Sequence, residues 1–400
     1  MALKRQKLVI VITHPIQYHA PLYRRIAEAD LFDLHVIFHN DRGARAYYDQ
    51  SARATVSYDN GILEGYHYQF LTRGDPVGLG QKLQQRFLPS LIREIIRHQP
   101  TAVYFHGYNH PAHIQAMLRL GKHGIKVLLR GENEDVLPRS WWRNWSRETL
   151  LHQLLPKLSG ILYIGEKNRE FFSRRGFSKD KMFFVPYSAD NEYFGINLMD
   201  TERLAIRRQI AADYSFDPNQ VIFVHTCKHR AEKQPLDVVD GFIKANQHRT
   251  TPLPATLLLV GDGPLRSEME ARIVKAELRN AVFTGYVNQS KLKQCLLAAD
   301  YCINAAPEPW GCVFNEALPA GLGIISSDRV VGWHDMVKIG GNGFIYRFGC
   351  TDSLAHILRQ CAEHPEWIPG FREESKKLAR IYSYDTCVSG LKQALDACSA

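Results

Sequence analysis

The chain has 400 residues, of which 45% are hydrophobic and 23% charged, proportions that are ordinary for a soluble globular protein of two or three domains. No stretch approaches the roughly 18 consecutive apolar residues that a membrane-spanning helix needs. The net charge of +9 calls for an acidic partner or surface, such as a diphosphate-bearing substrate, an anionic membrane or a nucleic acid.

The cysteines and the first residues indicate the compartment. Eight cysteines lie between Cys227 and Cys398 without a CxxC pair, which is typical of a reducing cytoplasm and argues against disulfides and a zinc site. Residues 4–12 resemble the basic and apolar parts of a signal peptide, but the apolar part is too short, and Thr13-His14-Pro15 follows where a cleavage site should lie. We therefore predict a cytoplasmic protein whose first apolar run is a buried strand.

Short apolar runs alternate with helical patterns in the first half of the chain, which predicts a mainly parallel sheet with crossover helices. The runs are continuous rather than alternating, as is typical of strands covered on both faces. The predicted strands are Leu8–Ile12, Leu34–Phe38, Ala102–Phe105, Lys126–Leu129 and Gly160–Ile164. The predicted helices include Pro21–Glu28, His113–His123 and Lys167–Arg175.

Two segments of the first half combine apolar side chains with cations. The run Trp141–Arg147 contains three tryptophans and two arginines, a mixture typical of membrane-interface segments, and Gln81–His98 fits an amphipathic basic helix. For either segment alone, a core-facing stripe with a solvated opposite face is the favoured interpretation. Together with the net charge, they predict peripheral contact with an anionic membrane. Nucleic acid is not predicted, because the sequence has neither a concentrated basic stripe nor a known binding motif.

Around Val185–Asn191 the pattern pauses, and Pro186 with the polar run after it indicates a domain boundary. Alternation then resumes, and the two halves share one architecture without an internal repeat. The predicted strands are Val221–His225, Leu257–Val260, Ala281–Thr284, Asp300–Asn304, Gly323–Ser326 and a short edge element, Gly343–Tyr346; the predicted helices are Glu202–Ile210, Asp352–Glu363 and Tyr384–Cys398. We therefore predict an α/β protein with one Rossmann-like lobe in residues 1–190 and another in residues 191–383, followed by a helix in residues 384–400.

The most informative run is Pro307–Ala317, which carries Glu308 and Glu316. It follows a predicted strand, and a helix is predicted from Gly311 to Ala320, so the run lies where ligands bind in open α/β sheets. Exposed N–H groups at a helix start favour an anion such as a phosphate, and carboxylates beside it are placed to accept hydrogen bonds from sugar hydroxyls. Two acids eight residues apart are commonplace in themselves, but this setting predicts a nucleotide-sugar site.

Several motifs along the second half carry a family resemblance. They are the Pro307–Ala317 run, the loop Thr226–Pro235, the turn Gly261–Pro264, the segment Phe283–Val287 and the glycine-rich Gly340–Phe344. In this combination the chain resembles the retaining glycosyltransferases of family 4, which adopt the GT-B fold. The resemblance covers nearly all of Val221–Leu354 and touches the first half more loosely. It implies two Rossmann-like, doubly wound lobes that face each other across a cleft, with residues 384–400 crossing back to the first lobe.

The resemblance also implies roles for individual residues. Glu308 would contact the donor hexose, the backbone of Gly311, Cys312 and Val313 the diphosphate, and Glu316 the ribose hydroxyls. Two cations, Lys228 and Lys233, would grip the distal phosphate, where negative charge grows as the sugar–phosphate bond breaks. Arg230 is a further candidate for binding the distal phosphate. Cys227 stands where the family usually has a glycine. The backbone of Tyr286 would bond the edge of the base. The turn Gly261–Pro264 lacks GxGxxG, so a dinucleotide fingerprint is not supported.

Four further residues at predicted strand ends of the first half are candidates for the cleft or the acceptor site: His14, His106, Arg130 and Glu132. Many relatives have a glycine-rich loop where this chain has His14 and Pro15, and many place a histidine near the reacting sugar where this chain has Arg130. Arg130 is therefore a candidate contact for the diphosphate or the acceptor, and a structural ion pair between Arg130 and a glutamate is an equal alternative.

These observations predict a retaining glycosyltransferase that moves a hexose-type sugar from a nucleoside-diphosphate sugar to a hydroxyl acceptor. The acceptor expected from the basic charge and the tryptophan run is a lipid-linked or cell-envelope glycan at the cytoplasmic membrane face. No DxD or HExxH motif is present, so the sequence predicts no catalytic metal and no cofactor besides the co-substrate. Two alternatives remain open at this point, a nucleotide-sugar epimerase of similar fold and a non-catalytic basic binding module.

Overall fold

The computed structural model of the chain describes residues 5–49, 53–56, 61–74, 83, 86–247 and 249–399. The chain divides into two compact units. The first consists of Met1–Tyr47, Asn60–Tyr187 and Tyr384–Ala400, and the second of Tyr48–Asp59 and Ser188–Ser383. The predicted α/β class is confirmed, because each unit is built on one parallel sheet covered by helices.

The first unit contains a seven-stranded sheet in the order β5-β2-β1-β6-β7-β8-β9, in which every neighbouring pair is parallel. Its strands are β1 (Lys7–Ile12), β2 (Asp33–Phe38), β5 (His67–Phe70), β6 (Ala102–His106), β7 (Lys126–Arg130), β8 (Gly160–Tyr163) and β9 (Met182–Phe184), while β3 (Tyr47–Asp49) and β4 (Ala54–Val56) form a separate pair. Its helices between the strands are α1 (Ala20–Glu28), α2 (Ser90–His98), α3 (Pro111–Leu120), α4 (Trp141–Leu154) and α5 (Glu166–Arg174).

The second unit contains a six-stranded parallel sheet in the order β12-β11-β10-β13-β14-β15. Its strands are β10 (Val221–Thr226), β11 (Ala255–Val260), β12 (Ala281–Gly285), β13 (Tyr301–Asn304), β14 (Gly323–Ser327) and β15 (Gly343–Tyr346). Its helices are α6 (Asp200–Tyr214), α7 (Pro235–Asn246), α8 (Arg266–Lys275), α9 (Gln289–Ala298), α10 (Cys312–Ala317), α11 (Trp333–Met336), α12 (Thr351–Glu363) and α13 (Ile368–Ile381).

The last helix, α14 (Tyr384–Ser399), belongs to the first unit and packs against β8 and β9. Gly390 makes this close packing possible, because a Cβ atom at that position would lie 2.0 Å from the carbonyl oxygen of Phe184. Cys387, Leu391 and Leu395 of α14 are completely buried in the hydrophobic core. The final helix is therefore part of the core of the first unit.

Strand side chains alternate between two cores on the faces of the first sheet. On β1, Val9 and Val11 pack into the core covered by α2 to α5, whereas Leu8, Ile10 and Ile12 pack into the core covered by α1 and α14. Both faces of β1 are thus buried, which confirms the interpretation of continuous apolar runs as doubly covered strands. In such strands only the residues at the ends are accessible to a ligand.

The structure differs from the sequence prediction in two helical segments. The helix predicted from Gly311 to Ala320 ends at Ala317, because Pro319 has no N–H to donate to the preceding turn, although Leu318 still has helical backbone angles. Within the predicted helix Gln81–His98, the described residues 83, 86 and 87 are helical, and a separate helix runs from Ser90 to His98; residues 81, 82, 84 and 85 lie outside the described part. Leu91 and Ile95 of that helix are fully buried, so its apolar stripe faces the core.

Candidate functional site

The strand order of the second unit defines where a ligand site is expected. Strand β10 continues through α7 to β11 on one side of it, and β13, its other neighbour, continues to β14 on the opposite side. The loops that follow β10 and β13 therefore diverge above the sheet at a topological switch point, where open α/β sheets bind ligands. Residues 227–234 form the first of these loops and residues 305–311 the second, and both were selected from the sequence.

Lys233 and Glu308, one from each loop, are in direct contact. The Nζ atom of Lys233 donates a hydrogen bond to Oε2 of Glu308 over 2.5 Å, and Nδ2 of Asn304 donates to Oε1 of the same carboxylate over 2.6 Å. Burial by itself lowers the pKa of Lys233, but the charge of Glu308 and the hydrogen bond to it raise that pKa above its usual value. The site thus holds a protonated lysine against an oriented carboxylate.

The backbone of Glu308 is fixed as well as its side chain. Its N–H donates to the carbonyl of Arg329 over 3.1 Å, and its carbonyl accepts from the N–H of Val331 over 2.9 Å. These two bonds fasten the loop after β13 to the loop after β14. The carboxylate therefore projects from a segment anchored on both sides, which limits the reorganisation needed when a ligand binds.

Gly311 begins α10 in a conformation that other residues adopt rarely. Its φ angle is +93°, and a Cβ atom there would lie 2.7 Å from Cγ1 of Val330. The next side chains, Cys312 and Val313, are half-buried at the first turn of α10. Because α10 has six residues rather than the ten predicted, fewer peptide dipoles point at an anion there.

Glu316 lies on α10 with only 2% of its surface exposed. Its charge adds to the effect of burial, which is the main cause, in raising the pKa of the Cys302 thiol on β13. Glu316 is thus buried against the sheet in the element that follows Glu308.

The loop after β10, residues 227–234, is called the basic loop below. Its other two cations have different partners. The Nζ atom of Lys228 lies 2.6 Å from Oδ2 of Asp49, and Nε of Arg230 lies 2.6 Å from Oε1 of Glu232. Asp49 comes from Tyr48–Asp59, the short segment grouped with the second unit. Of the predicted cations, the structure therefore brings Lys233 to Glu308, whereas Lys228 and Arg230 pair elsewhere.

The end of β10 is tied to β13 by His225. Its Nδ1–H donates to the carbonyl of Ile303 over 2.9 Å, which leaves Nε2 to accept from the Cys227 thiol at 3.2 Å. Burial lowers the pKa of His225 to about 4 and raises that of Cys227 to about 12, so both groups are neutral near pH 7. They position the basic loop by hydrogen bonds and carry no charge into the site.

The glycine-rich turn after β11 allows that loop to approach closely. A Cβ atom on Gly261 would lie 2.0 Å from the carbonyl oxygen of Cys227, and one on Gly263 would lie 2.7 Å from that of His229. The turn therefore packs directly against the backbone of the loop after β10. Further along, Gly285 has a φ angle of +72° and precedes Tyr286, which is 37% exposed.

Sequence reasoning did not select Asn304, His225 or Asp49. Asn304 left a signal, since it is the one polar residue in the otherwise apolar strand Tyr301–Asn304, at the end from which the ligand loop starts. No signal in the sequence indicated Asp49, because it lies 179 residues from Lys228. The partner of such a lysine depends on how a distant segment folds back.

In the first unit, His106 lies at the carboxyl end of β6 within a chain of hydrogen bonds. Its Nδ1 lies 3.3 Å from the hydroxyl of Tyr104 and its Nε2 lies 2.9 Å from that of Tyr23. The ring of His19 packs against it in a tilted arrangement, with a centroid distance of 4.3 Å. Burial, His19 and the charge of Arg130 hold the pKa of His106 well below its usual value, so it is neutral at pH 7.

Arg130 is completely enclosed, with 1% of its surface exposed. Its guanidinium donates to the hydroxyl of Tyr104 over 3.0 Å and to the carbonyl of Pro186, and it lies over the ring of Tyr187 at 4.3 Å. The alternative of an ion pair between Arg130 and a glutamate is wrong, since none of the described residues forms such a pair with it. Arg130 instead fixes the segment at which the chain leaves the first unit.

Two remaining candidates of the first unit are more accessible. Glu132 is exposed on the loop after β7, which Asn168 holds by donating to the carbonyls of Gly131 and Asn133 over 2.9 and 2.7 Å. His14 is half-buried at the end of β1, where its Nδ1 lies 2.9 Å from the hydroxyl of Thr13. Burial and the nearby Arg42 lower the pKa of His14.

Comparisons with known proteins bear directly on the second unit. Residues 209–380 match the protein-family model described as "Glycosyl transferases group 1". The match covers most of the second unit and includes both loops of the candidate site. None of the curated protein sequences searched matches the chain.

Solved structures extend the similarity to the full fold. HepE from Anabaena in complex with UDP is 16% identical, with a TM-score of 0.70 over 98% of this chain and 100% of that chain. A glycosyltransferase from Rickettsia africae is 13% identical, with a TM-score of 0.71 over 99% of each chain. The lipopolysaccharide outer core galactosyltransferase WaaB is 13% identical, with a TM-score of 0.66 over 98% of this chain and 99% of that chain. The chain therefore has the GT-B fold of these glycosyltransferases.

Within the described residues, no three histidine, cysteine, aspartate or glutamate side chains are arranged to hold a metal ion. In the same part of the chain, every helix is too short or too polar to cross a bilayer.

Proposed function

We propose that this protein is a retaining glycosyltransferase of family 4 that moves a hexose-type sugar from a nucleoside-diphosphate sugar to a hydroxyl acceptor. The observation that carries the proposal is the contact between Lys233 and Glu308 at the β10–β13 switch point. The match of residues 209–380, which include this site, to the model of group 1 glycosyl transferases supports the reaction class.

Lys233 and Glu308 suit the two parts of the donor, the diphosphate and the sugar respectively. Breaking the bond between the sugar and the distal phosphate leaves negative charge on the departing diphosphate, and a preset ammonium group stabilises that charge. The carboxylate of Glu308 would accept hydrogen bonds from the sugar hydroxyls while Asn304 maintains its orientation. In the free protein the charges of Lys233 and Glu308 neutralise each other. When the donor binds, its phosphate would replace Glu308 as the partner of Lys233, and its sugar hydroxyls would replace Lys233 as the partner of Glu308.

No side-chain base is assigned to the transfer. The bond from the anomeric carbon to the phosphate oxygen breaks, the bond to the acceptor oxygen forms on the same face, and the acceptor's proton passes to the departing phosphate. The configuration of the anomeric carbon is thereby retained. Lys233 is proposed to supply the charge that a metal ion supplies in other transferases, and Lys228 would join it if its ion pair with Asp49 opens.

The remaining donor roles follow the family pattern. The backbone of Gly311, Cys312 and Val313 would meet the diphosphate, Glu316 the ribose and the backbone of Tyr286 the base. HepE has been solved with UDP, with UDP and glucose and with UDP-glucose, so UDP-glucose is the first donor to test. The protein would need no further cofactor.

We propose a lipid-linked or cell-envelope glycan as the acceptor, reached from the cytoplasmic face of a membrane. The name of WaaB, a lipopolysaccharide outer core galactosyltransferase, supports an acceptor of this class. The acceptor would meet the first unit, where His14 is half-buried and Glu132 is exposed at strand ends.

The test is a thermal-shift screen against UDP-, GDP-, ADP- and TDP-sugars, followed by measurement of free nucleoside diphosphate with and without a glycan acceptor. We expect one donor class to raise the melting temperature, because a ligand that binds the native state stabilises it. Conversion of the donor to another sugar without an acceptor would instead identify an epimerase. A donor that binds without turnover under all conditions would identify a binding module.

A further inference from the structure

Three tryptophans at the start of α4 are exposed to solvent, and we call them the tryptophan face. Trp141 is 79% exposed, Trp142 53% and Trp145 68%. Tryptophan is among the largest apolar side chains and is usually mostly buried, so three in one helical turn are unusual for a free surface. Residues 141 and 145 are four apart and lie on one side of the helix, with 142 adjacent to them.

The tryptophan face is held in place by the rest of α4. Leu151 and Leu154 are buried in the core of the first unit. One turn after the tryptophans, Arg147 lies 3.0 Å from Asp135, and Glu148 lies 2.7 Å from Arg175. These contacts anchor the helix on both sides of its second turn, so the three indole rings are displayed by a fixed element.

The charged residues within the segment that carries the tryptophan face have one sign. The segment from Ser140 to Arg147 contains no acid, and the first one, Glu148, is bound to Arg175 and Arg147. Arg143 is exposed, lies 5.1 Å from the ring of Trp142, and has no ion-pair partner among the described residues. Exposed indoles next to an uncompensated cation are the composition of a surface that binds an anionic membrane interface.

We propose that the tryptophan face docks the protein on the surface of a bilayer that contains anionic lipids. The indole rings lie among the lipid headgroups, where their N–H groups stay hydrated and their ring carbons leave water, and Arg143 faces the lipid phosphates. A carbohydrate-binding platform is the main competitor, but sugar hydroxyls need acids and amides beside the rings, and Asn144 is the only such side chain in the segment. The inference concerns where the protein resides and does not depend on which sugar it transfers.

The experiment is flotation of the full chain with vesicles of phosphatidylcholine alone or mixed with phosphatidylglycerol. We expect binding to the mixed vesicles that weakens with added salt. The triple variant W141S/W142S/W145S should lower the partition coefficient roughly tenfold or more, which corresponds to about 1.4 kcal/mol per factor of ten. Arg143→Glu should reduce binding to the mixed vesicles only.

The matched control is Val274→Ser, which removes an apolar side chain that is 75% exposed on α8 of the second unit. This variant should float like the wild type. Donor-induced thermal shifts of all variants check that each is folded, and they also separate this proposal from the proposed reaction. A triple variant that keeps both its thermal shift and its flotation would overturn the membrane proposal.

A second measurement uses the unaltered protein. Vesicles with brominated acyl chains quench indoles that enter the interface, and we expect quenching that disappears in the triple variant. No quenching and no flotation, or a change in indole emission with a soluble glycan alone, would overturn the proposal.

Discussion

The ammonium group of Lys233 lies 2.5 Å from the carboxylate of Glu308 although the two residues are 75 positions apart in sequence. The side chains are partly exposed, at 39% and 20%, and a pair of this kind contributes about 0–1 kcal/mol to stability. The ion pair therefore contributes little to the stability of the fold. The proposed donor would give this pair a function, because it presents an anion to the lysine and hydroxyl groups to the acid.

Changing Glu308 to Gln is expected to lower donor turnover by about 10²–10³ with little change in the melting temperature, because the amide loses the charge but keeps the shape. Changing Lys233 to Met should have an effect of similar size. The measurement is release of nucleoside diphosphate under saturating donor. The control is Lys244→Met, which breaks an ion pair of 2.8 Å with Asp352 elsewhere in the second unit. Equal turnover in Glu308→Gln and the control would remove Glu308 from the mechanism.

Gly311→Ala should destabilise the protein more than Gly340→Ala. Both glycines have positive φ angles, +93° and +75°, so both variants incur backbone strain of about 1 kcal/mol. Only Gly311 also has an obstacle, with Cγ1 of Val330 at 2.7 Å from the new Cβ, whereas nothing lies within 4 Å at Gly340. We expect a total loss of roughly 2–3 kcal/mol for Gly311→Ala in urea denaturation. Equal losses in the two variants would mean that Val330 moves aside freely.

Arg130→Met is expected to act on stability. The guanidinium hydrogen-bonds to Tyr104 and Pro186, and its removal should lower the free energy of unfolding by roughly 2–3 kcal/mol. Because the charge of Arg130 contributes to the low pKa of His106, the variant should also raise that pKa, which histidine NMR titration measures. A variant of normal stability that has lost only acceptor affinity would show instead that Arg130 binds the acceptor.

Acid should unfold the protein at a pH at which carboxylates are still ionised. Burial lowers the pKa of several histidines far below the 6.5 of an unfolded chain, to about 3 for His19, about 2 for His39, and about 4 for His113 and His225. Below pH 6.5 the unfolded chain therefore binds more protons than the native state, so stability is complete above this pH and is lost as the pH falls.

Each of these histidines should lower the free energy of unfolding by up to about 2 kcal/mol at pH 5. The losses from several histidines together approach the free energy of unfolding of a typical domain, roughly 5–15 kcal/mol. We therefore expect the protein to unfold between pH 6.5 and 5. Urea denaturation at stepped pH measures this dependence. His225→Gln should flatten it, and a wild-type stability that stays constant down to pH 5 would contradict it.

Sequence patterns predicted most strands of the two sheets closely, because most of these are short apolar runs that the fold buries. They missed β5 (His67–Phe70), which is partly exposed, and β9 (Met182–Phe184), which has only three residues. The limits of Gly343–Tyr346 agree with the structure, and those of the strand that begins at Val221 differ by one residue. The predicted helix after Gly311 was too long because Pro319 was not weighed against the helical pattern. Local composition therefore fixes elements well, and a single proline decides where one of them ends.

The site was predicted in part. Motif order identified Lys233 and Glu308, but it did not identify Asp49 as the partner of Lys228 or Asn304 as the second partner of Glu308. It also left the burial of Arg130 undecided, because enclosure depends on Tyr104 and Tyr187 from separate segments. Such contacts arise from the register of neighbouring strands and from how loops fold back, which one sequence does not reveal.

The place of α14 in the core of the first unit has a consequence for biosynthesis. A ribosome makes residues 188–383 before it makes this helix, so the second unit can fold on the emerging chain while the first still lacks part of its interior. The half that is translated earliest is thus the last to be completed, and until Leu391 and Leu395 arrive its sheet offers an apolar face to chaperones.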